Sequence, residues 1–285
     1  MSIFKKQPDD NWLIDLDKYR IKEKPQGKWN CEGPWYSDDG EDGVLVYLFE
    51  YINNTNNFAV DIGSAHGYGG SHVRHLVDKY DWGSTEMDGS WRVSRKNLNL
   101  NYGKNFKWER IHPQVKKEWI TPDNICELLD KYKTPKEFNL LSLDIDSMDW
   151  YVLEKLLKGG FKPSVAIVEF NPIFEYDESY VINYDSDYKK DMSYHYGASA
   201  RAFEILMNKY KYTLVHVFPQ KTASNLLFIL NDYILPTMEI NTLHDMHPHG
   251  FIVSNKQIGK SRNKPKLENL DKNTLIKEHF KKIKL

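Results

Sequence analysis

Oxygen-bearing side chains collect at the ends of two apolar segments of this sequence. Asp144 and Asp146 lie at the end of the apolar run 140–144, and Glu169 and Asn171 lie at the end of the run that begins at Val165. Carboxylate and amide oxygens brought to one place are the ligands that Mg²⁺ or a similar cation prefers. The pattern therefore predicts a cation site formed by Asp144, Glu169 and Asn171, with Asp144 and Asp146 as candidate catalytic residues.

A second interpretation of the same carboxylates needs no metal. Asp144 and Asp146 can cap the helix that follows them or bind a cofactor, and Asp149 can be a solvated acid in the first turn of that helix. The sequence alone leaves both interpretations open.

A glycine-containing turn forms the second candidate site. Residues 60–67 read VDIGSAHG, which has the spacing D-x-G-x-x-x-G directly after a short apolar run. Glycine lets the backbone come close to a ligand, and the start of a following helix offers free N–H groups. The dinucleotide fingerprint G-x-G-x-x-G is not matched, because Ala65 stands where that fingerprint has glycine. Glu86, at the end of the next predicted strand, is a candidate for binding a ribose diol.

Two histidines and a tyrosine-rich segment extend the list of candidates. His195 is a candidate general base, although a lone histidine among tyrosines is more often structural, and His66 in the glycine turn is a second candidate. Segment 174–191 carries four tyrosines among acidic residues. That composition suits a surface that grips a sugar, and it equally describes a solvated loop.

These residues need a fold that brings them to one edge. Apolar runs alternate with segments of helical spacing, which predicts parallel βαβ units and an α/β, Rossmann-like doubly wound sheet that is mostly parallel. The late apolar runs 213–218 and 226–230 predict a closing antiparallel hairpin. The predicted strands before them are 58–61, 83–87, 107–111, 140–144 and 165–169, and the predicted helices are 42–52, 71–80, 122–131, 150–157 and 198–209.

The chain is expected to have three parts. Residues 1–40 form an irregular N-terminal extension, 41–235 form the main domain, and 236–285 form a basic C-terminal extension that ends in a helix at 267–285. Within the main domain, 172–196 is too polar and too long for an ordinary connection, which predicts a lid or a disordered segment.

Charge and composition exclude several classes of protein. The 285 residues carry 39 Lys and Arg against 40 Asp and Glu, so the chain as a whole lacks the basic excess of a sequence-independent nucleic-acid binder. No apolar stretch reaches the roughly 20 residues of a membrane span, no secretory signal follows the first residues, and two cysteines make no disulfide framework. A soluble, cytoplasmic protein is expected.

The basic residues are nevertheless concentrated at one end. Residues 255–285 carry ten basic and three acidic residues, which leaves 29 basic against 37 acidic residues in the remainder. The basic tail is expected to pack on its own domain, to pair with another subunit or to approach an anionic acceptor, and packing on its own domain is favoured.

The order of these motifs resembles that of the class I S-adenosylmethionine (SAM)-dependent methyltransferases. A closer resemblance, to FkbM-type and related sugar or natural-product O-methyltransferases, covers residues 38–232. Ser147 is a departure, since relatives of this type commonly have glycine there. The matching blocks are GEDGVL at 40–45, LLSLDIDSMDWY at 140–151, AIVEFNP at 166–172, YGAS at 196–199 and NLLF at 225–228.

The resemblance implies roles for the residues of the glycine turn and its neighbours. Glu86 would bind both ribose hydroxyls and Met87 would pack on the adenine ring. His112 would lie near the adenine, although an ordinary surface or core histidine is the more frequent case. The methionine part of SAM would be held by Asp61, Gly63, Ser64, Ala65, His66 and Gly67.

The resemblance also implies a reaction and a partner. The methyl group would pass to a hydroxyl of a sugar, nucleotide-sugar or other small polyhydroxylated acceptor, and several similar enzymes use a divalent ion such as Mg²⁺ to hold and polarise that hydroxyl. Nucleic acid is disfavoured by the acidic body, and a homo-oligomer is compatible with the sequence. Two rivals remain: a nucleic-acid methyltransferase on the same fold, and a non-catalytic binding or scaffold protein.

Overall fold

The fold is described from a computed structural model for residues 36–37, 41–52, 56–67, 70–89, 114–188, 194–219, 224–234 and 271–284. Several predictions lie outside these residues: His112, the strand 107–111, nearly all of the N-terminal extension and residues 235–270 of the C-terminal part.

Seven of the described strands form one sheet and two form another. The strands are β1 Phe58–Ile62, β2 Gly83–Asp88, β3 Val115–Lys117, β4 Glu137–Leu143, β5 Lys162–Glu169, β6 Tyr180–Ile182, β7 Tyr212–Pro219, β8 Ser224–Leu230 and β9 Phe280–Lys282. The large sheet has the order β3-β2-β1-β4-β5-β8-β7. Its first five strands are parallel, and β8 and β7 form the antiparallel hairpin. The predicted doubly wound, mostly parallel α/β sheet with a closing hairpin is thus confirmed.

The strand order reverses between β1 and β4. Strands β2 and β3 lie on one side of β1, and β4 and β5 lie on the other. In open α/β sheets, such a reversal leaves a crevice at the carboxyl ends of the strands, where ligands bind. The candidate residues that follow β1, β2, β4 and β5 are therefore brought to one edge.

Helices cover both faces of this sheet. They are α1 Glu41–Tyr51, α2 Arg74–Tyr80, α3 Ile125–Lys131, α4 Asp149–Lys158, α5 Ala200–Lys209 and α6 Lys272–His279. The buried residues of α1 and α2 pack with Ala59 and Leu140, whereas those of α3, α4 and α5 pack with Val60 and Leu141. Neighbouring strand residues thus enter different cores, as in a sheet that is buried on both faces.

The second sheet joins the predicted lid segment to the end of the chain. Strands β6 and β9 pair antiparallel, with Val181 opposite Lys281. The predicted tail helix ends at His279, and residues 280–282 form a strand instead, which pairs with β6 and buries Phe280 against Phe174. The described part of the basic tail therefore packs on its own domain.

None of the described helices combines the length and the apolar character that crossing a membrane would take.

Candidate functional site

The turn after β1 passes closely between its two neighbouring strands. Gly63 has a φ of +91°, and its N–H donates to the carbonyl of Met87 at the end of β2 (2.9 Å). On the other side, a Cβ at Gly63 would lie 1.6 Å from the carbonyl oxygen of Asp144. Only glycine fits both the positive φ and this close approach.

Two polar groups at the turn, the hydroxyl of Ser64 and the carboxylate of Asp88, are suited to bind a ligand. The hydroxyl of Ser64 is buried and has no hydrogen-bond partner among the described residues. A buried polar group without a partner costs free energy, which a ligand's polar group would recover. The N–H of Ala65 donates to the carboxylate of Asp88 (2.9 Å), so this carboxylate lies directly beside the turn.

Glu86, for which the sequence predicted a contact with a ribose, lies in the interior of the protein. Glu86 is completely buried, and its carboxylate accepts hydrogen bonds from Arg74 and from the hydroxyl of Ser84 (2.7 Å). Strand β2 continues to Asp88, one residue beyond its predicted end, so Asp88 occupies the tip. Of these two acids, Asp88 is therefore the one that lies at the edge of the sheet beside the turn. Met87 is likewise fully buried, as part of the hydrophobic core, and its predicted contact with adenine stays a prediction.

Arg74 is a structural partner of the turn that the sequence analysis missed. Its side chain is fully buried, and its Nε donates to the carbonyl of Gly67 (2.7 Å). The same guanidinium donates to Glu86 on β2 and to Gln114 (2.9 Å) just before β3. Arg74 thus ties the end of the turn to two neighbouring strands. The available signal was an arginine three residues after Ser71, at the start of a helix that follows the turn.

Asp61 lies beneath the turn in a buried polar network. It accepts a hydrogen bond from Ser71 (2.8 Å), and burial raises its pKa although His72 and Ser71 oppose that shift. His72 lies 3.1 Å from the hydroxyl of Ser142 and 3.7 Å from the carboxylate of Glu41. Burial works to lower the pKa of His72, but the hydrogen bond and charge of Glu41 raise it to about 9.

His66 lies in the turn and is half-buried. Burial lowers its pKa, and the negative charge of Asp88 opposes the shift. A lowered pKa favours neutral imidazole at neutral pH, which is the form required of a base.

Three carboxylates come together at the ends of β4 and β5. Oxygens of Asp144, Asp146 and Glu169 all lie within 4.8 Å of one another. Asp146 has a φ of +56°, a conformation that L-residues adopt at a cost. Of the predicted metal ligands, the structure therefore brings Asp144 and Glu169 together and adds Asp146.

Asp149 holds the loop that presents these carboxylates. Its side chain accepts hydrogen bonds from the N–H groups of Ile145 (2.8 Å) and Ser147 (2.9 Å). Burial, followed by the charge of Asp144, raises the pKa of Asp149 to about 6. Asp149 is thus a buried support for the loop rather than a solvated acid.

The contacts of Asn171, which was predicted as a metal ligand, favour a structural role. Asn171 is fully buried, and its amide nitrogen donates to the carbonyls of Tyr194 (2.6 Å) and Tyr196 (2.9 Å). Its amide oxygen accepts from the N–H of Ile173 (3.2 Å). Since both ends of the amide are engaged inside the protein, Asn171 anchors segment 194–196 instead of presenting an oxygen to a cation.

His195 contacts the C-terminal tail. The centre of its ring lies 4.3 Å from that of His279 at the end of α6. The next residue, Tyr196, is buried, and its burial, followed by the charges of Glu169 and Asp144, raises its pKa. The role of His195 as a general base stays a prediction.

The chain resembles solved structures at low sequence identity. No family model and no curated protein matches the chain. Among solved structures, LepI in complex with SAM matches 65% of this chain and 46% of its own, with a TM-score of 0.31 and 12% identity. A single-residue variant of LepI in complex with S-adenosylhomocysteine (SAH) and a substrate analogue matches 79% of this chain and 50% of its own, with a TM-score of 0.29 and 13% identity. The chain thus spans about half the length of these structures.

Proposed function

We propose that this protein is a SAM-dependent methyltransferase that acts on a hydroxyl of a small, hydroxyl-rich acceptor, a sugar or nucleotide-sugar. The observation that carries the proposal is the turn at the reversal of strand order, where the unpartnered hydroxyl of Ser64 and the carboxylate of Asp88 lie together. The motif resemblance over residues 38–232 supports the same conclusion.

The residues around the turn fit the chemistry of SAM. A carboxylate such as Asp88 can accept hydrogen bonds from two neighbouring ribose hydroxyls. Three buried carboxylates, Glu41, Asp42 and Asp61, raise the pKa of the imidazole of His72 against the effect of its burial. When bound, SAM would supply an electrophilic methyl group, and the turn would orient it.

The carboxylate cluster is the proposed acceptor side of the site. Asp144, Asp146 and Glu169 would hold Mg²⁺, for which three nearby oxygen ligands are suitable. The ion would polarise an acceptor hydroxyl and lower its pKa. A carboxylate of the cluster can also take the hydroxyl proton directly, in which case no metal is required.

Calorimetry with SAM and SAH tests the cofactor. We expect micromolar binding of both, together with transfer of a methyl group to at least one member of a nucleotide-sugar panel, detected by mass spectrometry. Absence of binding of either compound would contradict the proposal. Methylation of RNA without methylation of any sugar would contradict the acceptor class.

Chelation and substitution test the metal. We expect EDTA, Asp144→Asn and Glu169→Gln each to lower turnover by about tenfold or more, as loss of one general acid–base or charged contact does, with added Mg²⁺ restoring the chelated wild type only. Glu137→Gln, an exposed acid at the start of β4 and thus at the opposite end of the strand from Asp144, is the matched control. If EDTA does not affect the wild type but both variants are inactive, the carboxylates act in proton transfer and no metal is needed.

A further inference from the structure

Trp119 exposes its indole ring next to the proposed cofactor site. It follows β3 at the carboxyl edge of the sheet, and 52% of its surface is accessible. This is a larger exposed fraction than that of Tyr80 or Tyr184, the other exposed large hydrophobic residues in the described part of the chain. An indole left in water forgoes the free energy of burial, which a ligand that covers the ring would recover.

The ring lies against the residue that follows Asp88. In the parallel pairing of β2 with β3, Asp88 is opposite Lys117, and the N–H of Glu118 donates to the carbonyl of Asp88 (3.1 Å). A Cβ at Gly89 would lie 2.8 Å from Cε3 of Trp119. The absence of a side chain at Gly89 therefore lets the indole approach the backbone beside the carboxylate.

The backbone on both sides of Trp119 is fixed. The Asn124 amide donates to the carbonyl of Trp119 (2.8 Å) and accepts from the N–H of Thr121 (2.8 Å). The carboxylate of Glu118 accepts hydrogen bonds from Lys131 (2.6 Å) and from the hydroxyl of Tyr132. A fixed loop presents an aromatic face at little cost in conformational entropy when a ligand binds.

We infer that Trp119 is the stacking surface for the purine base of the nucleoside whose ribose Asp88 holds. This inference rests on the proposed function and names a residue that sets affinity for the adenosyl part of the ligand. The base is joined directly to the ribose, so a ribose on Asp88 places the base beside Gly89, where the indole lies. Stacking of a base on an aromatic side chain is worth about a five- to hundredfold change in affinity.

Calorimetry on the full chain with SAH and with adenosine tests the inference. Trp119→Ala should lower the affinity for both ligands by about five- to hundredfold, and Trp119→Phe should restore most of it, because phenylalanine retains a stacking face. Tyr80→Ala, which removes an exposed aromatic at the far end of α2, should leave both affinities unchanged. Quenching of tryptophan fluorescence by SAH should be reduced in Trp119→Phe even though binding persists.

The outcomes separate this inference from the proposed function. If wild type and Trp119→Ala bind SAH equally well, the inference is wrong and the proposed function stands. A variant that loses affinity for SAH but not for adenosine would also overturn the inference, since the ring would then contact the amino-acid part. A wild type that binds neither SAM nor SAH would overturn the proposed function itself.

Discussion

Two carboxylates on β2 differ in what surrounds them, although only Met87 separates them. Glu86 and Asp88 point to the same face of the strand because side chains alternate. Glu86 is enclosed with Arg74, whereas Asp88 lies at the tip, receives the N–H of Ala65 and retains 8% exposure. A fully buried ion pair stabilises the fold, whereas a carboxylate at the edge of the sheet can bind a ligand.

Substitution of each acid by its amide should therefore have a different effect. Asp88→Asn should weaken SAH binding by about ten- to hundredfold, because hydrogen bonds to a charged group are worth about 1.5–3 kcal/mol, and it should change stability little. Glu86→Gln should lower the free energy of unfolding by about 1–3 kcal/mol, since it removes the fully buried partner of Arg74 and leaves only longer-range contacts such as that with Asp78 (3.5 Å). Calorimetry and urea unfolding measure the two effects, and the opposite assignment of effects would return the ribose contact to Glu86.

Local patterns were predictable at these positions and remote contacts were not. The glycine turn at 63–67 follows from spacing, because its backbone requirement is encoded within a single short stretch of sequence. The ribose contact was predicted for Glu86, whereas the geometry favours Asp88, because β2 continues one residue beyond its predicted end. The structural contacts of Asn171 were not foreseen, because the carbonyls that accept its hydrogen bonds belong to residues 23 and 25 positions away. Nothing local in the sequence indicates such partners.

At the scale of elements, the lid segment and the C-terminal tail depend on each other. Ile283 donates its N–H to the carbonyl of Ser179 (2.8 Å), and Asn183 donates to the carbonyl of His279 (2.7 Å). The ring of Phe280 lies edge-on to that of Phe174, with their centres 4.9 Å apart. The polar composition of 172–196 predicted a lid or a disordered segment. The pairing of this segment was not predicted, because its partner strand lies far along the chain, at 280–282.

Loss of the Phe280 ring should release the tail. Phe280→Ala removes a buried aromatic side chain, a change that costs about 3–5 kcal/mol in a core. Because β9 has only three residues, we expect local opening rather than global unfolding. Hydrogen exchange should then become faster at the amides of Asn183 and Ile283 while the large sheet keeps its protection. Leu275→Ala, a partly buried position on α6, is the milder control, and unchanged exchange at Asn183 in Phe280→Ala would contradict the prediction.

At the scale of the whole molecule, one buried network connects both helices of a face to the sheet. The amide of Asn225 on β8 donates to Glu41 on α1 (3.2 Å) and lies 3.4 Å from His72, which precedes α2. His72 in turn reaches Ser142 on β4. The pKa of Glu41 falls to about 2 because, although burial opposes the shift, the hydrogen bond and charge of His72 lower it. The sequence contains all four residues, but only the closed fold brings them together.

The network makes the stability of the protein depend on pH through His72. Its pKa is about 9 in the fold against 6.5 for the free side chain, so the folded state binds the extra proton between these values. The stabilisation is fully present below pH 6.5 and is lost as the pH rises through 9, with a total of about 3 kcal/mol as an order of magnitude. The free energy of unfolding, measured in urea at pH values from 6.5 to 9, should therefore decline in the wild type and stay flatter in His72→Gln. His75→Gln is the matched control three residues further on: burial lowers the pKa of His75 to about 4, so its contribution changes only below its ordinary pKa of 6.5. An equal decline in His72→Gln and in the wild type would assign the pH dependence to other groups.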